Sequence, residues 1–150
     1  MRVRILIGTL AAAALLLLQL IAAADARADD FVFVRNARNP ATAITASQAK
    51  EMAIGKRKVW PQGAVVLLVL TQPGSPALGW FATRVCGVEE AALMAKIKQE
   101  VFKGELRKPI FAGTDKEIAD AVASQDGAIG IVRADFAKSL PAGVATLALQ

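Results

Sequence analysis

Apolar residues of this chain form short runs that are separated by segments with helical periodicity. The central run, residues 64–70, carries no charge and is rich in β-branched residues, which is typical of a strand buried on both faces. Shorter apolar runs at residues 31–34 and 128–132 predict two further strands, and residues 144–149 predict a last, edge strand. Gly130, inside one of these runs, indicates that another part of the chain approaches that strand closely.

Helix start and stop signals lie between these runs. Two segments begin with capping boxes, at Thr45 with Gln48 and at Thr114 with Glu117. Ser75 supplies an N-cap, and Pro76 suits the first helical position. The predicted helices are residues 46–54, 76–86, 89–102 and a fourth that runs from 115 to the Asp126-Gly127 turn. Residues 105–113 are predicted to be a polar loop. Strands that alternate with helices in this way predict an α/β fold with a largely parallel sheet.

The N-terminal residues have the features of an export signal. A short basic start precedes the almost entirely apolar residues 5–24, and Ala26-Arg27-Ala28 matches the small-x-small pattern that export peptidases cleave. These features predict a signal peptide over residues 1–28, cleavage after Ala28 and a periplasmic location for one domain, residues 29–150. The alternative is an uncleaved membrane anchor, because the apolar stretch is nearly long enough to span a bilayer.

Charge and composition argue against several classes of function. The formal net charge is +5, and part of it belongs to arginines of the predicted signal peptide, so the surplus on the domain is mild. Basic and aromatic residues are not interleaved as they are in nucleic-acid-binding proteins. The chain has no histidine, the commonest general base and metal ligand, so we expect no enzymatic activity, metal or cofactor. The single cysteine, Cys86, excludes an internal disulfide and is predicted to be a buried thiol.

The end of the central run is the best candidate for a binding site. Here a buried strand leads through a glycine-containing loop into a helix N-terminus, where unpaired N–H groups and the positive end of the helix dipole meet. The hydroxyls of Thr71 and Ser75, the backbone at Gly74 and the N–H of Ala77 are the candidate ligands for a small anion. Arg35, at the end of the first strand, is a further candidate. The alternative role of Ser75 is helix capping alone.

Several stretches in order resemble the periplasmic phosphate-binding proteins of ABC transporters. The resemblance extends from about residue 31 to residue 135 and is carried by these segments: Asn39-Pro40, Ile44-Thr45, Gly55-Lys56-Arg57-Lys58-Val59-Trp60-Pro61-Gln62-Gly63, Pro73-Gly74-Ser75-Pro76, Phe81, Phe102-Lys103-Gly104 and Asp126-Gly127-Ala128-Ile129-Gly130-Ile131-Val132. It implies a single three-layer lobe of a type II periplasmic binding protein-like fold, with a mixed, mostly parallel sheet between helices. It also implies phosphate or a similar oxyanion as the ligand.

The chain departs from this family in two respects. The family has two lobes that close around the oxyanion, whereas this chain is long enough for about one lobe. The family loop carries Arg and Asp before Gly-Ser-Gly-Thr, whereas here Thr71 stands for the Arg, Pro73 for the Asp, and Pro76-Ala77 for the Gly-Thr. Two or three hydrogen bonds to an anion on an exposed half-cleft would give a dissociation constant of roughly 1 mM.

These departures leave two hypotheses. The first is an exported oxyanion-binding protein of the phosphate-binding type, in which a second lobe comes from a homodimer or from a periplasmic or inner-membrane partner. The second is a periplasmic accessory or protein-interaction module that kept the lobe and lost the anion. An enzyme is a distant third, because the sequence offers no nucleophile with a base nearby.

Overall fold

The computed structural model describes residues 30–150. The predicted signal peptide, residues 1–28, lies outside the described residues. Within the described part, the strands are β1 (Phe31–Asn36), β2 (Ala43–Ile44), β3 (Leu67–Thr71), β4 (Ile110–Ala112), β5 (Ala128–Arg133) and β6 (Val144–Leu149). They form one six-stranded sheet in the order β2-β6-β1-β5-β3-β4.

Most neighbouring strands of this sheet are parallel. β3 is parallel to both β4 and β5, and β2 is parallel to β6. β1 runs antiparallel to its two neighbours, β5 and β6, so the sheet is mixed as predicted. The prediction that β6 is an edge strand is wrong, because the two-residue strand β2 pairs along its outer side.

The helices are α1 (Ala46–Ala53), α2 (Pro76–Trp80), α3 (Glu90–Phe102), α4 (Asp115–Ser124) and the short α5 (Ala134–Ala137). A π-helical turn, Phe81–Val85, continues α2. All four predicted helices are therefore present. Each helix of residues 30–150 is too short or too polar to cross a bilayer.

Helices cover both faces of the sheet. On one face, α1, α2 and α3 pack on alternate strand residues that include Phe33, Leu68 and Ile131. On the other face, α4 packs on residues that include Leu67 and Val132. The result is the predicted three-layer α/β lobe. β3 begins at Leu67, three residues later than predicted, and Val65 is 52% exposed. Residues 66–70 are all buried, which confirms the prediction of a strand covered on both faces for this part of the run.

Gly130 lies where side chains of α4 pack tightly against β5. A Cβ atom at this position would lie 2.7 Å from the Ile118 Cγ2 atom and 3.1 Å from the Val122 Cγ2 atom. The close approach predicted for this glycine is confirmed.

Two expectations about the end of α3 and the segment that follows it are wrong. Residues 105–113 are not simply a polar loop, because β4 lies within them and pairs with β3. The helical periodicity of residues 92–102 predicts an apolar stripe that includes Leu93, Ile97 and Phe102, but 94% of the Phe102 surface is exposed. The buried residues of α3 are Leu93, Ile97 and Glu100.

Candidate functional site

The carboxyl ends of β3, β4 and β5 lie at one edge of the sheet because these strands are parallel. Ligands of open α/β sheets bind at this kind of edge. Residues 71–77, which connect β3 to α2, form what we call the β3–α2 turn. The turn contains four of the five predicted site residues: Thr71, Gly74, Ser75 and Ala77.

Ser75 is the N-cap of α2, as predicted. Its backbone is extended, with φ −73° and ψ 150°, and its Oγ atom accepts a hydrogen bond from the Leu78 N–H over 3.3 Å. The Thr71 Oγ1 atom is hydrogen-bonded to the same Oγ atom. A hydroxyl group both donates and accepts, so this pair has one proton that can be redirected to an anion without loss of the helix cap.

The backbone N–H groups of the turn are mostly occupied. The Ser75 N–H donates to the Gln72 carbonyl over 3.1 Å, and Pro76 has no N–H. The Gly74 N–H donates to the Glu90 Oε1 atom over 2.6 Å. The Ala77 N–H, like that of Gln72, makes no hydrogen bond to any of residues 30–150, and at the start of α2 it is available to a ligand.

Glu90 is a feature of the site that the sequence did not reveal. It is the first residue of α3 and lies sixteen positions after Gly74 along the chain, so no local pattern links the two residues. Its carboxylate places a negative charge at the point where an anion would be expected. A comparable contact is present at the next turn, where the Gly113 N–H donates to the Glu117 Oε2 atom over 2.8 Å.

Arg133 is a second feature that the sequence did not reveal. The β3–β5 pairing ends at Val69 and Gly130, and from this pair both parallel strands continue in the same direction, β3 to Thr71 and β5 to Arg133. Arg133 therefore ends β5 at the same edge of the sheet as the β3–α2 turn. Its Nε atom contacts the Asp115 Oδ2 atom at 2.7 Å, and 73% of its side chain is exposed.

Asp115 holds this arginine in place. A hydrogen bond to Asp115 and the attraction of its negative charge raise the pKa of Arg133 above its ordinary value. Asp115 also accepts the Arg133 backbone N–H at 3.3 Å. Within residues 30–150, the two terminal guanidinium nitrogens of Arg133 make no hydrogen bond. They are donors that an anion could use.

The structure does not bring Arg35 to this turn. β1 runs antiparallel to β5, and Arg35 pairs with Ile129, which in turn lies opposite Leu68. Arg35 is thus near the other edge of the sheet. Its guanidinium donates to the Asn36 carbonyl over 3.3 Å and also to the Asn39 carbonyl.

Residues 30–150 contain no group of three or more His, Cys, Asp or Glu side chains close enough to hold an ion. The candidate site is therefore a pair of hydroxyls, one free amide and one nearby arginine, opposed by the Glu90 carboxylate.

The sequence matches no protein-family model and no curated protein. The fold is similar to solved phosphate receptors. One is an ABC-type phosphate transport receptor from Vibrio cholerae, with a TM-score of 0.59 and 15% identity, over 81% of this chain and 46% of the receptor. Another is PstS from Borrelia burgdorferi, with a TM-score of 0.59 and 18% identity, over 81% of this chain and 47% of PstS.

The similarity covers less than half of the length of each of these neighbours. At such low identity, it concerns the fold and not the residues of the site. The chain has the α/β fold of the phosphate-binding proteins of ABC transporters, over about one half of their length.

Proposed function

We propose that this chain is an exported, non-enzymatic protein that binds phosphate or a similar small oxyanion at the β3–α2 turn. The observation that carries the proposal is the combination of the Thr71 and Ser75 hydroxyls with the unpaired Ala77 N–H at the start of α2. Arg133 supports it as a positive charge at the same edge of the sheet. The fold supports it through its similarity to phosphate transport receptors.

The proposed binding is weak for the chain alone. Each hydrogen bond to a charged partner contributes about 1.5–3 kcal/mol, and less where water competes. Two or three such bonds on an open surface correspond to a dissociation constant of roughly 1 mM. Glu90 weakens binding further because its negative charge lies at the Gly74 N–H.

Calorimetric titration with phosphate and sulfate tests the proposal. Ser75→Asp is the informative variant, because aspartate keeps an oxygen for the helix cap and adds a negative charge where the anion would lie. We expect this variant to lose binding and to keep the wild-type unfolding temperature within a few degrees. Ser124→Ala is the control, since Ser124 lies at the C-terminal end of α4, away from the turn, and we expect unchanged binding.

The proposal would be contradicted if calorimetry detects no heat of binding to the wild-type protein at a phosphate concentration of roughly ten times the expected dissociation constant. Binding that persists in Ser75→Asp would also contradict it, since the anion would then lie elsewhere.

A second candidate function is favoured by the occupied Gly74 N–H. A carboxylate from the same chain already fills one donor of the turn, and Thr71 and Pro73 replace the Arg and Asp of the related loop. A lobe of this kind would serve as a periplasmic accessory or interaction module. Absence of phosphate binding in both the wild type and Glu90→Gln would favour this function.

A further inference from the structure

A large apolar groove lies between α3 and the edge strand β4, on the sheet face that carries α1, α2 and α3. Its volume is about 950 Å³, and its apolar walls include Pro73, Ala91, Met94, Ile97, Val101 and Phe111. Phe102 stands at its rim with 94% of its surface exposed, and Phe111 is 37% exposed. An exposed apolar surface of this size with aromatic residues is typical of a protein-binding site.

The open side of the groove follows from the sheet order. β4 is the last strand and pairs only with β3, so its outer N–H and C=O groups have no strand partner among residues 30–150. α3 precedes β4 in the chain and covers only part of this end of the sheet. The groove is the remaining uncovered part.

The charges around the groove are arranged asymmetrically along α3. Glu90 lies at one end of the groove, and Lys98 and Lys108 line it further along. The separation from Glu90 to Phe102 is roughly 18 Å at 1.5 Å per residue. The acidic residue coincides with the positive end of the helix dipole, and the basic residues lie towards the negative end.

This charge asymmetry favours a second copy of the same surface, packed with its α3 helix antiparallel to the first. If two copies pack with their α3 helices antiparallel, Glu90 of each copy lies against the basic end of the other, and the helix dipoles are also opposed. With Lys98 opposite Glu90, Phe102 of each copy lies four residues, roughly 6 Å, beyond Glu90 of the other copy and reaches the Pro73 end of that groove. Parallel packing would instead place Glu90 against Glu90 and Lys98 against Lys98.

We infer that the groove is the interface of a two-fold homodimer, in which α3 packs antiparallel to its counterpart and Phe102 of each copy fills the groove of the other. Such an interface is isologous, because the same surface serves both copies. The inference rests on the groove, the exposed phenylalanine and the charge pattern of α3, and the surface shares Glu90 with the anion site.

Sedimentation equilibrium of the protein, expressed from the full-length sequence and purified as the cell processes it, measures the association. We expect Phe102→Asp to weaken self-association about tenfold or more, because a charge would replace the apolar contact of Phe102 with the partner groove. Its unfolding temperature should stay at the wild-type value, since the side chain is exposed. Val59→Asp is the control: Val59 is 50% exposed and does not line the groove, and we expect unchanged association.

A charge exchange tests the antiparallel arrangement. Lys98→Glu and Glu90→Lys should each weaken self-association severalfold, and the double variant should recover most of the loss. A wild-type protein that remains monomeric at about 100 μM would overturn the inference, because most specific dimers have dissociation constants below that concentration. Unchanged self-association in Phe102→Asp would also overturn the inference. The same holds if the double variant associates no more strongly than the single variants do.

Discussion

Replacement of Glu90 by glutamine should strengthen oxyanion binding at the β3–α2 turn. In the wild type, Glu90 Oε1 accepts the Gly74 N–H at 2.6 Å, so a full negative charge lies beside the proposed ligand position. Glutamine keeps an oxygen that can accept the same hydrogen bond, and the turn should retain its shape. The substitution therefore removes the charge and little else.

Coulomb's law gives the size of the effect. An anion held by Ser75 and the Ala77 N–H would lie about 6 Å from the carboxylate, or two hydrogen-bond lengths. At that distance, the repulsion of two unit charges is about 0.7 kcal/mol at a dielectric constant of 80 and about 1.4 kcal/mol at 40. We therefore expect Glu90→Gln to bind phosphate about 3- to 10-fold more tightly than the wild type.

Calorimetric titration of both proteins at low and high salt is the assay. High salt should shrink the difference, because counterions screen exposed charges. Glu89→Gln is the matched control, since Glu89 carries the same charge one residue earlier and makes no side-chain hydrogen bond as the N-cap of α3. Equal gains in the two variants, or no gain in Glu90→Gln, would refute a specific role for the Glu90 carboxylate.

Two further predictions concern stability. Burial raises the pKa of the Cys86 thiol to about 11 although the Lys50 charge opposes the shift, so the native state loses stability as the pH rises from about 9, the unfolded value, towards 11. Melting curves over this range should fall more steeply for the wild type than for Cys86→Ala; parallel curves would contradict the burial effect. Gly130→Ala should lower the free energy of unfolding by about 1–3 kcal/mol because its Cβ atom would overlap Ile118. Gly79→Ala, a helical position whose nearest atom is 3.7 Å away, should raise the free energy by up to about 1 kcal/mol. Urea denaturation compares the two, and similar losses would show that tight packing at Gly130 is not the cause.

The sequence predicted the parts of the fold whose signals are local. Thr45, Ser75 and Thr114 each precede a helix at the expected position, and each accepts a hydrogen bond from that helix. The second half of the uncharged central run, from Leu67, lies in β3 and is buried on both sides. These signals depend on neighbours within three or four residues, or on the period of a single element, and a sequence displays both directly.

The parts that depend on pairing between distant segments were not predictable. β2 and β4 have two and three residues, too few to show an alternating pattern, and they exist because β6 and β3 offer free edges. The position of Arg35 depends on the antiparallel direction of β1, which no residue of β1 encodes. Glu90 and Arg133 join the site through contacts between residues that lie sixteen and eighteen positions apart.

The proposed anion site and the inferred dimer surface share one residue, and this couples them physically. In the antiparallel arrangement, a lysine of the second copy approaches Glu90, which is the group that opposes an anion at Gly74. Ion pairing across the interface would offset part of that negative charge, so dimer formation would favour anion binding. Because coupling between two equilibria is reciprocal, the anion would favour the dimer by the same factor. Such coupling gives a reason why a loop without its expected arginine could still function: the missing positive charge would come from the second copy.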